Sequence, residues 1–397
     1  MCYLTKEIIN KLIEENLEKV IDIRRDIHAN PELGMEENRT AEVIYDNLQG
    51  LELKIQTRVG KTGVVALLEG DKEGKTIMLR ADMDALPIEE QTNLPYKSLN
   101  KNIMHACGHD FHTAILLGAA KVLSNMREEI KGNIKFVFQP AEECNPTGGA
   151  NYMIEDGVLE NPKVDAALAL HVWDIPLGKL ALKPGAMMAQ SDRIFIKVKG
   201  KSAHGSAPHQ GTDAIVGAAH VITALQTIVS RNISPLDSGV VTLGVIQGGY
   251  RYNVIPDEVN LEGTVRTFAP HVAAIMPGRI ETVVKNVCEA LGCGYEFQYV
   301  YGYPLTYNDE TLTEQVTESL KKTFGEENII IPLNPATGAE DFSFFNKHVP
   351  CTFMWLGCKS ELNEDCCVVH NPTFTGDERA IKIGIEALCN TALDLLK

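Results

Sequence analysis

Four short apolar runs, each closing on charged or imidazole side chains, constrain this chain more than any other feature. They are TGVVALLEG (62–70), KTIMLRADMD (75–84), NIKFVFQPAEE (133–143) and DAALALHVWD (165–174). Continuous runs of this length suit strands buried on both faces, and helical segments such as HTAILLGAAKVLSNM (112–126) separate some of them. The alternation predicts an α/β domain on a largely parallel sheet. In such sheets ligand sites form beyond the carboxyl ends of the strands. Here the ends carry Asp82/Asp84, Glu142/Glu143 and His171/Asp174, so chemistry is expected there.

Ahead of these runs, residues 7–27 place Ile9, Leu12, Ile13, Leu17, Val20 and Ile21 on one helical face. After LKPGAMMAQS the pattern changes. Strands are predicted over 193–200, 239–247, 258–268 and 295–302, and helices over 213–229 and 271–292, the latter with an internal Pro277. The order β-α-β-β-α-β is the split βαβ signature of a small ferredoxin-like domain. A helix (309–324), a strand (350–357) and a helix (377–396) follow and rejoin the first domain. The expected organisation is a catalytic domain in two parts, 1–185 and 303–397, interrupted by an inserted domain over 186–302. No internal repeat or low-complexity tract is present.

Charge narrows the partners. With 37 Lys+Arg against 53 Asp+Glu, the net charge is −16. That balance argues against nucleic acid and anionic membranes, whose affinity comes from basic residues, and acidic clusters in a cleft suit cations. The N-terminal stretch is charged throughout, and Cys2 stands where myristoylation needs glycine. No apolar run is expected to span a bilayer. Ten scattered cysteines without framework spacing predict a reduced, cytoplasmic protein. The adjacent Cys366 and Cys367 could not bridge one another without strain.

The densest chemistry lies in MHACGHDFHTA (104–114). Cys107 and His109 flank a single glycine, so one loop could aim both at an ion. Cys107 as a nucleophile with a histidine base, or a structural pair at a helix start, are the competing readings. Glu142 and Glu143 end a strand, where one carboxylate could bind metal and the other act as base. Asp84 suits a carboxylate that holds a metal ligand in place, and Asp82 a turn cap. His370 sits in a polar loop near the C-terminus and means little alone.

Nine motifs in order then change the weight of each. RDIHANPELGMEE (25–37), RADMDALPI (80–88), MHACGHDFHTA, FQPAEE (138–143), LHVWD (170–174), SAHGSAPHQGTDAI (202–215), YNVIPDEVNLEGTVRTF (252–268), GAEDFSFF (338–345) and HNPTF (370–374) together resemble the M20 family of metallo-amidohydrolases. Within it they most resemble the N-acyl-amino-acid amidohydrolases, which include hippurate and auxin-conjugate hydrolases.

The resemblance implies two divalent metals (Zn, Mn, Co or Ni) on Cys107, His109, Glu143, His171 and His370. It implies Glu142 as general acid/base and Asp84 as the group orienting the ligands. The inserted domain resembles a lid and dimerisation domain, whose His204 would reach a partner's site, with Asn253 and Arg266 binding substrate oxygens and carboxylate. A homodimer acting on N-acyl amino acids or short peptides is therefore expected. Departures are Asn371 and Thr375 in the last motif, Ala214 where relatives often carry Pro, and Cys144 beside the site. The alternatives are a dipeptidase or carboxypeptidase on the same centre, a non-catalytic ligand-binding relative, and a cysteine-nucleophile hydrolase.

Overall fold

The apolar runs described above are buried along most of their length, and in a computed structural model they assemble the sheet that organises the chain. The structure describes residues 3–363 and 366–397, so Cys2 lies outside the described residues. Two compact units are present. The first comprises Met1–Met187, Tyr307–Asn334 and Asp341–Lys397, and the second Met188–Thr306 and Pro335–Glu340.

In the first unit the chain forms α1 (Tyr3–Ala29), α2 (Asn38–Leu48), β1 (Lys54–Val59), β2 (Gly63–Glu69) and β3 (Lys72–Asp82). Next come α3 (His109–Ser124), β4 (Lys131–Gln139), α4 (Gly148–Glu155), β5 (Ala166–Pro176), β6 (Leu180–Ala181) and β7 (Gly185–Met188). The second unit holds β8 (Gln190–Lys199), β9 (Ala203–His204), α5 (Ala214–Arg231), β10 (Gly239–Gly248) and β11 (Val254–Ile255). It continues with β12 (Glu258–Thr267), α6 (Pro270–Ala290) and β13 (Gly294–Tyr303). Then β14 (Thr306–Asn308), α7 (Glu310–Phe324), β15 (Ile329–Ile330), β16 (Cys351–Lys359) and α8 (Arg379–Leu395) lead back through the first unit.

The large sheet runs β1-β2-β4-β3-β5-β16-β6-β15. Its centre, β4-β3-β5-β16, is parallel throughout, with antiparallel pairings at β1-β2, β2-β4 and β16-β6. This is the α/β architecture expected from the continuous runs. Helix α3 is buried along nearly its whole length, between α1, α8 and the sheet, which explains why its sequence is apolar all round. Each fully buried Leu, Ile or Phe side chain there contributes about 1.5–3 kcal/mol.

A buried ion cluster fixes where α3 begins. Arg24 of α1 meets Asp110 at 2.7 Å, His28 Nδ1 lies 2.8 Å from the same carboxylate oxygen, and Arg24 also reaches Glu378 at 3.3 Å. The guanidinium packs 4.2 Å from the Phe111 ring centroid. Because Asp110 follows His109, this cluster locks the residue that matters most at the next level.

The second unit carries a four-stranded antiparallel sheet in the order β10-β12-β8-β13, with a core that includes Val221, Leu225, Met276 and Ile280 of α5 and α6. Helix α6 contains Pro277 without ending there. One expectation needs correction: α5 is long and apolar enough by composition to cross a membrane. Its Ala214, Gly217, Ala218, Val221, Leu225 and Ile228 are buried within the unit, while Ile215 and Val216 are exposed.

Candidate metal centre

Helix α3 starts at His109, directly after Gly108, whose φ is +84° and where a Cβ would sit 2.3 Å from Val172 Cγ2. Only glycine satisfies both conditions. The turn places Cys107 and His109 with His171, near the end of the buried stretch of β5, so that one donor atom from each lies within 4.8 Å of the others. Cys107 Sγ is 3.3 Å from His171 Nε2. A second group shares the sulfur: Cys107, Glu143 and His370 meet the same limit, as do His109, Glu142 and Glu143. His370, at φ +62° in its loop, puts Nε2 3.0 Å from Glu143 Oε1. Five side chains from four separate segments thus converge beyond the sheet's carboxyl ends.

The turn after β4 presents the two glutamates. Ala141 adopts φ +54°, and its N–H donates to Glu37 Oε1 at 2.8 Å, while the Thr62 hydroxyl donates to Glu37 Oε2 at 2.6 Å. Burial, then the nearby Asp84 charge, pushes the Glu37 carboxyl up to about 7. Asp84 accepts the backbone N–H of both Glu142 and Glu143 at 3.0 Å. Its Oδ1 is also 3.2 Å, and its carbonyl oxygen 2.9 Å, from His109 Nδ1. One carboxylate therefore orients an imidazole and the whole Glu142–Glu143 turn. The Asp341 N–H donates to Glu142 Oε1 at 3.3 Å.

Asp82 is not a turn cap. It is fully buried, accepts from Arg80 Nη1 and contacts His112 Nδ1, both at 2.5 Å. His112 Nε2 accepts the Val172 N–H at 2.9 Å, which leaves the proton on Nδ1 facing Asp82. The strand ends at Asp82, and the turn beyond it sends Asp84 elsewhere. Sequence reasoning missed Glu37 and His112. The spacing of His112 three residues after His109 on a helix was a usable signal. Trp173 also escaped notice: it stacks on Trp355 at 4.8 Å and meets the His171 ring edge-on at 5.5 Å, forming an aromatic wall.

The electrostatics distinguish a ligand from a nucleophile. Burial, then Glu143, Glu142 and Asp82, drives the Cys107 thiol well above its usual range. Burial, then His112, drives His171 well below its usual range. A thiolate–imidazolium pair requires both shifts reversed. Burial opposes charge on His109, but Asp82 and Asp84 outweigh it and raise its pKa to about 10. Its Nε2 is buried with no hydrogen-bond partner. A soft sulfur, imidazoles and carboxylates around such an orphaned nitrogen fit a divalent transition metal, which displaces exactly these protons.

The remaining candidates belong to the second unit. His204 is exposed on β9, its Nδ1 2.7 Å from the Ser206 hydroxyl. The β9–β11 pairing sets His204 opposite Val254, next to Asn253, whose Oδ1 is buried and unpartnered. Arg266, half-buried on β12, hydrogen-bonds to Thr264 Oγ1 and to the Val265 carbonyl. Asn371 accepts from the Thr373 N–H and hydroxyl at 2.9 Å, so it caps its own turn.

Residues 78–394 match the model of peptidase family M20/M25/M40. The chain is 45% identical to the N-acyl-L-amino acid amidohydrolase of Geobacillus stearothermophilus over 77% of this chain and 83% of the relative. It is 44% identical to an N-acetyl-L-cysteine deacetylase of Bacillus subtilis, over 95% and 88% of the two chains. Among solved structures, a dinuclear metal-binding M20 peptidase from Bacillus subtilis superimposes with a TM-score of 0.84 at 34% identity, covering 96% of this chain and 99% of the other.

Proposed function

The chain belongs to peptidase family M20/M25/M40, and from that premise we propose that it is a metal-dependent amidohydrolase that splits N-acyl amino acids into a carboxylate and a free amino acid. The observation that carries this reading is the convergence of Cys107, His109, His171, Glu143 and His370, with Glu142 beside them. Those five would hold two divalent cations. When bound, such ions polarise an amide carbonyl and make water a better nucleophile.

Each protein group has a distinct part. Glu142 takes the proton of the attacking water and delivers it to the departing amine nitrogen. Asp84 keeps the His109 imidazole and the Glu142–Glu143 turn in register. His204 would donate to the oxygen that gains charge as the carbonyl is attacked, an interaction typically worth about 3–4 kcal/mol. Asn253 and Arg266 would hold the substrate's oxygens and carboxylate.

The second unit is proposed as lid and dimerisation domain. Support comes from β10, an edge strand whose Val245 and Ile246 are exposed, and from exposed Ile215 and Val216 at the start of α5. Closure of a lid excludes water from the reacting amide. Nine unpaired cysteines among the described residues support a cytoplasmic setting.

The test is hydrolysis of a panel of N-acetyl and N-benzoyl amino acids with several dipeptides. Chelator-stripped protein is assayed before and after Mn, Co, Ni or Zn is restored. Metal-dependent release of amino acid from acylated substrates is expected. Dipeptides cleaved in preference would replace deacylase by dipeptidase, and silence in a folded, metal-loaded protein would overturn the enzymatic reading.

A further inference from the structure

Cys358 lies near the end of β16, and Cys367 follows nine residues later; their Sγ atoms are 3.2 Å apart and both side chains are fully buried. A disulfide needs about 2.05 Å, so roughly 1 Å of approach separates this contact from a bond. The loop between and beyond them is tied at several points. Asn363 Nδ2 donates to the Cys358 carbonyl at 3.0 Å and to the Thr375 carbonyl at 2.5 Å. The Thr375 N–H donates to the Cys366 carbonyl at 2.7 Å, and the Asp377 N–H to the Cys358 carbonyl at 3.0 Å. These ties hold the sulfurs against one another and enclose His370, three residues after Cys367.

We propose that Cys358 and Cys367 form a peroxide-sensitive dithiol whose oxidation to a disulfide displaces the His370 loop and lowers hydrolytic activity. The chemistry closes without further reagents. The Cys367 thiolate attacks hydrogen peroxide, forming the S–O bond of a sulfenic acid as the O–O bond breaks and hydroxide leaves. The Cys358 sulfur then attacks the Cys367 sulfur, forming S–S and breaking S–O. Its proton and the departing hydroxyl leave as water, and the two thiols are oxidised as one peroxide is reduced to two waters. The hydrogen bond from Cys358 outweighs burial and holds the Cys367 thiol below its ordinary range, which makes it the attacking sulfur.

The effect on activity rests on His370 being a metal ligand; the bond itself does not. Misplacing a reacting or ligating group by 1 Å can cost up to about a hundredfold in rate. The experiment treats the full-length protein with stoichiometric hydrogen peroxide, blocks free thiols and digests with trypsin without reduction. The expected product joins peptides 348–359 and 360–379, is two hydrogens lighter than their sum apart from the blocking groups on Cys351 and Cys366, and disappears on adding a thiol reductant. It should be absent from Cys358→Ala and Cys367→Ser and retained in Cys366→Ser.

After peroxide, activity on the best substrate should fall roughly tenfold in the unsubstituted protein, recover with reductant, and change less than twofold in Cys358→Ala. A link that survives Cys367→Ser belongs to Cys366 and overturns the assignment, as does oxidation confined to Cys107 or Cys144. A link that forms while activity stays within twofold overturns the coupling to His370. The peptide is read without substrate, so failure of the deacylase reading leaves this test standing.

Discussion

Replacing Asp84 by Asn removes one oxygen from a carboxylate that serves three donors. Its Oδ1 faces His109 Nδ1 at 3.2 Å and the Glu142 N–H at 3.0 Å, and its Oδ2 accepts the Glu143 N–H at 3.0 Å. With the amide oxygen toward His109 and Glu142, the new NH2 confronts the Glu143 N–H, and one charge-assisted hydrogen bond is lost. The opposite orientation loses two. The lesser loss is about 1.5–3 kcal/mol, the range for a hydrogen bond to a charged group. Converted to binding, that is roughly a 10- to 150-fold fall in affinity for a cation on His109 and Glu143. This agrees with the 10–100-fold typical of residues that orient metal ligands. The measurement is competition for Zn or Mn between the apo protein and a fluorescent chelator, with circular dichroism to confirm that the variant is folded. A folded variant that binds metal within twofold of the parent would refute the orienting role.

Glu142→Gln should keep both metals, by elemental analysis, while turnover falls at least about a hundredfold; loss of metal, or retained turnover, would remove its acid/base assignment. Arg24→Met strips the cation from Asp110 and Glu378 and should destabilise by about 3–5 kcal/mol in urea unfolding, whereas a loss under 1 kcal/mol would show the cluster to be dispensable. Glu37 keeps its proton to about pH 7 in the folded chain, against 4.5 ordinarily, so the native state binds more protons across that window. Stability of chelated protein should therefore fall as pH rises from about 4.5 to 7 relative to Glu37→Gln, and a rise would contradict the burial argument. Ile246→Lys on the edge of β10 should shift the species seen by light scattering from dimer to monomer, and an unchanged mass would locate any interface elsewhere.

What the sequence revealed depended on how much each element relies on neighbours. The strands buried on both faces, β3, β4 and β5, read clearly because nothing but a double-sided sheet core explains their runs. Edge strand β1, KIQTRV, is mostly exposed and carries no such signal, and α2 buries only the stripe Thr40, Ile44 and Leu48. At the site, Cys107, His109 and the Glu142–Glu143 pair were legible from spacing and strand ends. The role of Asp82 was not, because alternation places Asp82 and Asp84 on one face and only the actual turn separates them. Glu37 was hidden for a related reason: its partners Thr62 and Ala141 are remote in sequence, and one of them is a backbone N–H.

The central place of β16 in the sheet has a consequence for synthesis. It is paired along its length with β5, yet about 175 residues of chain separate the end of one from the start of the other. At roughly 5–20 residues per second, a ribosome takes about 9–35 s to cover that distance. During this interval the apolar stretch of β5 from Ala166 to Val172 has an open flank, the kind of edge that recruits other chains. Slow codons between the two strands should therefore favour aggregates over native protein, while chaperones that cover a nascent strand should matter more for this chain than its stable final core suggests.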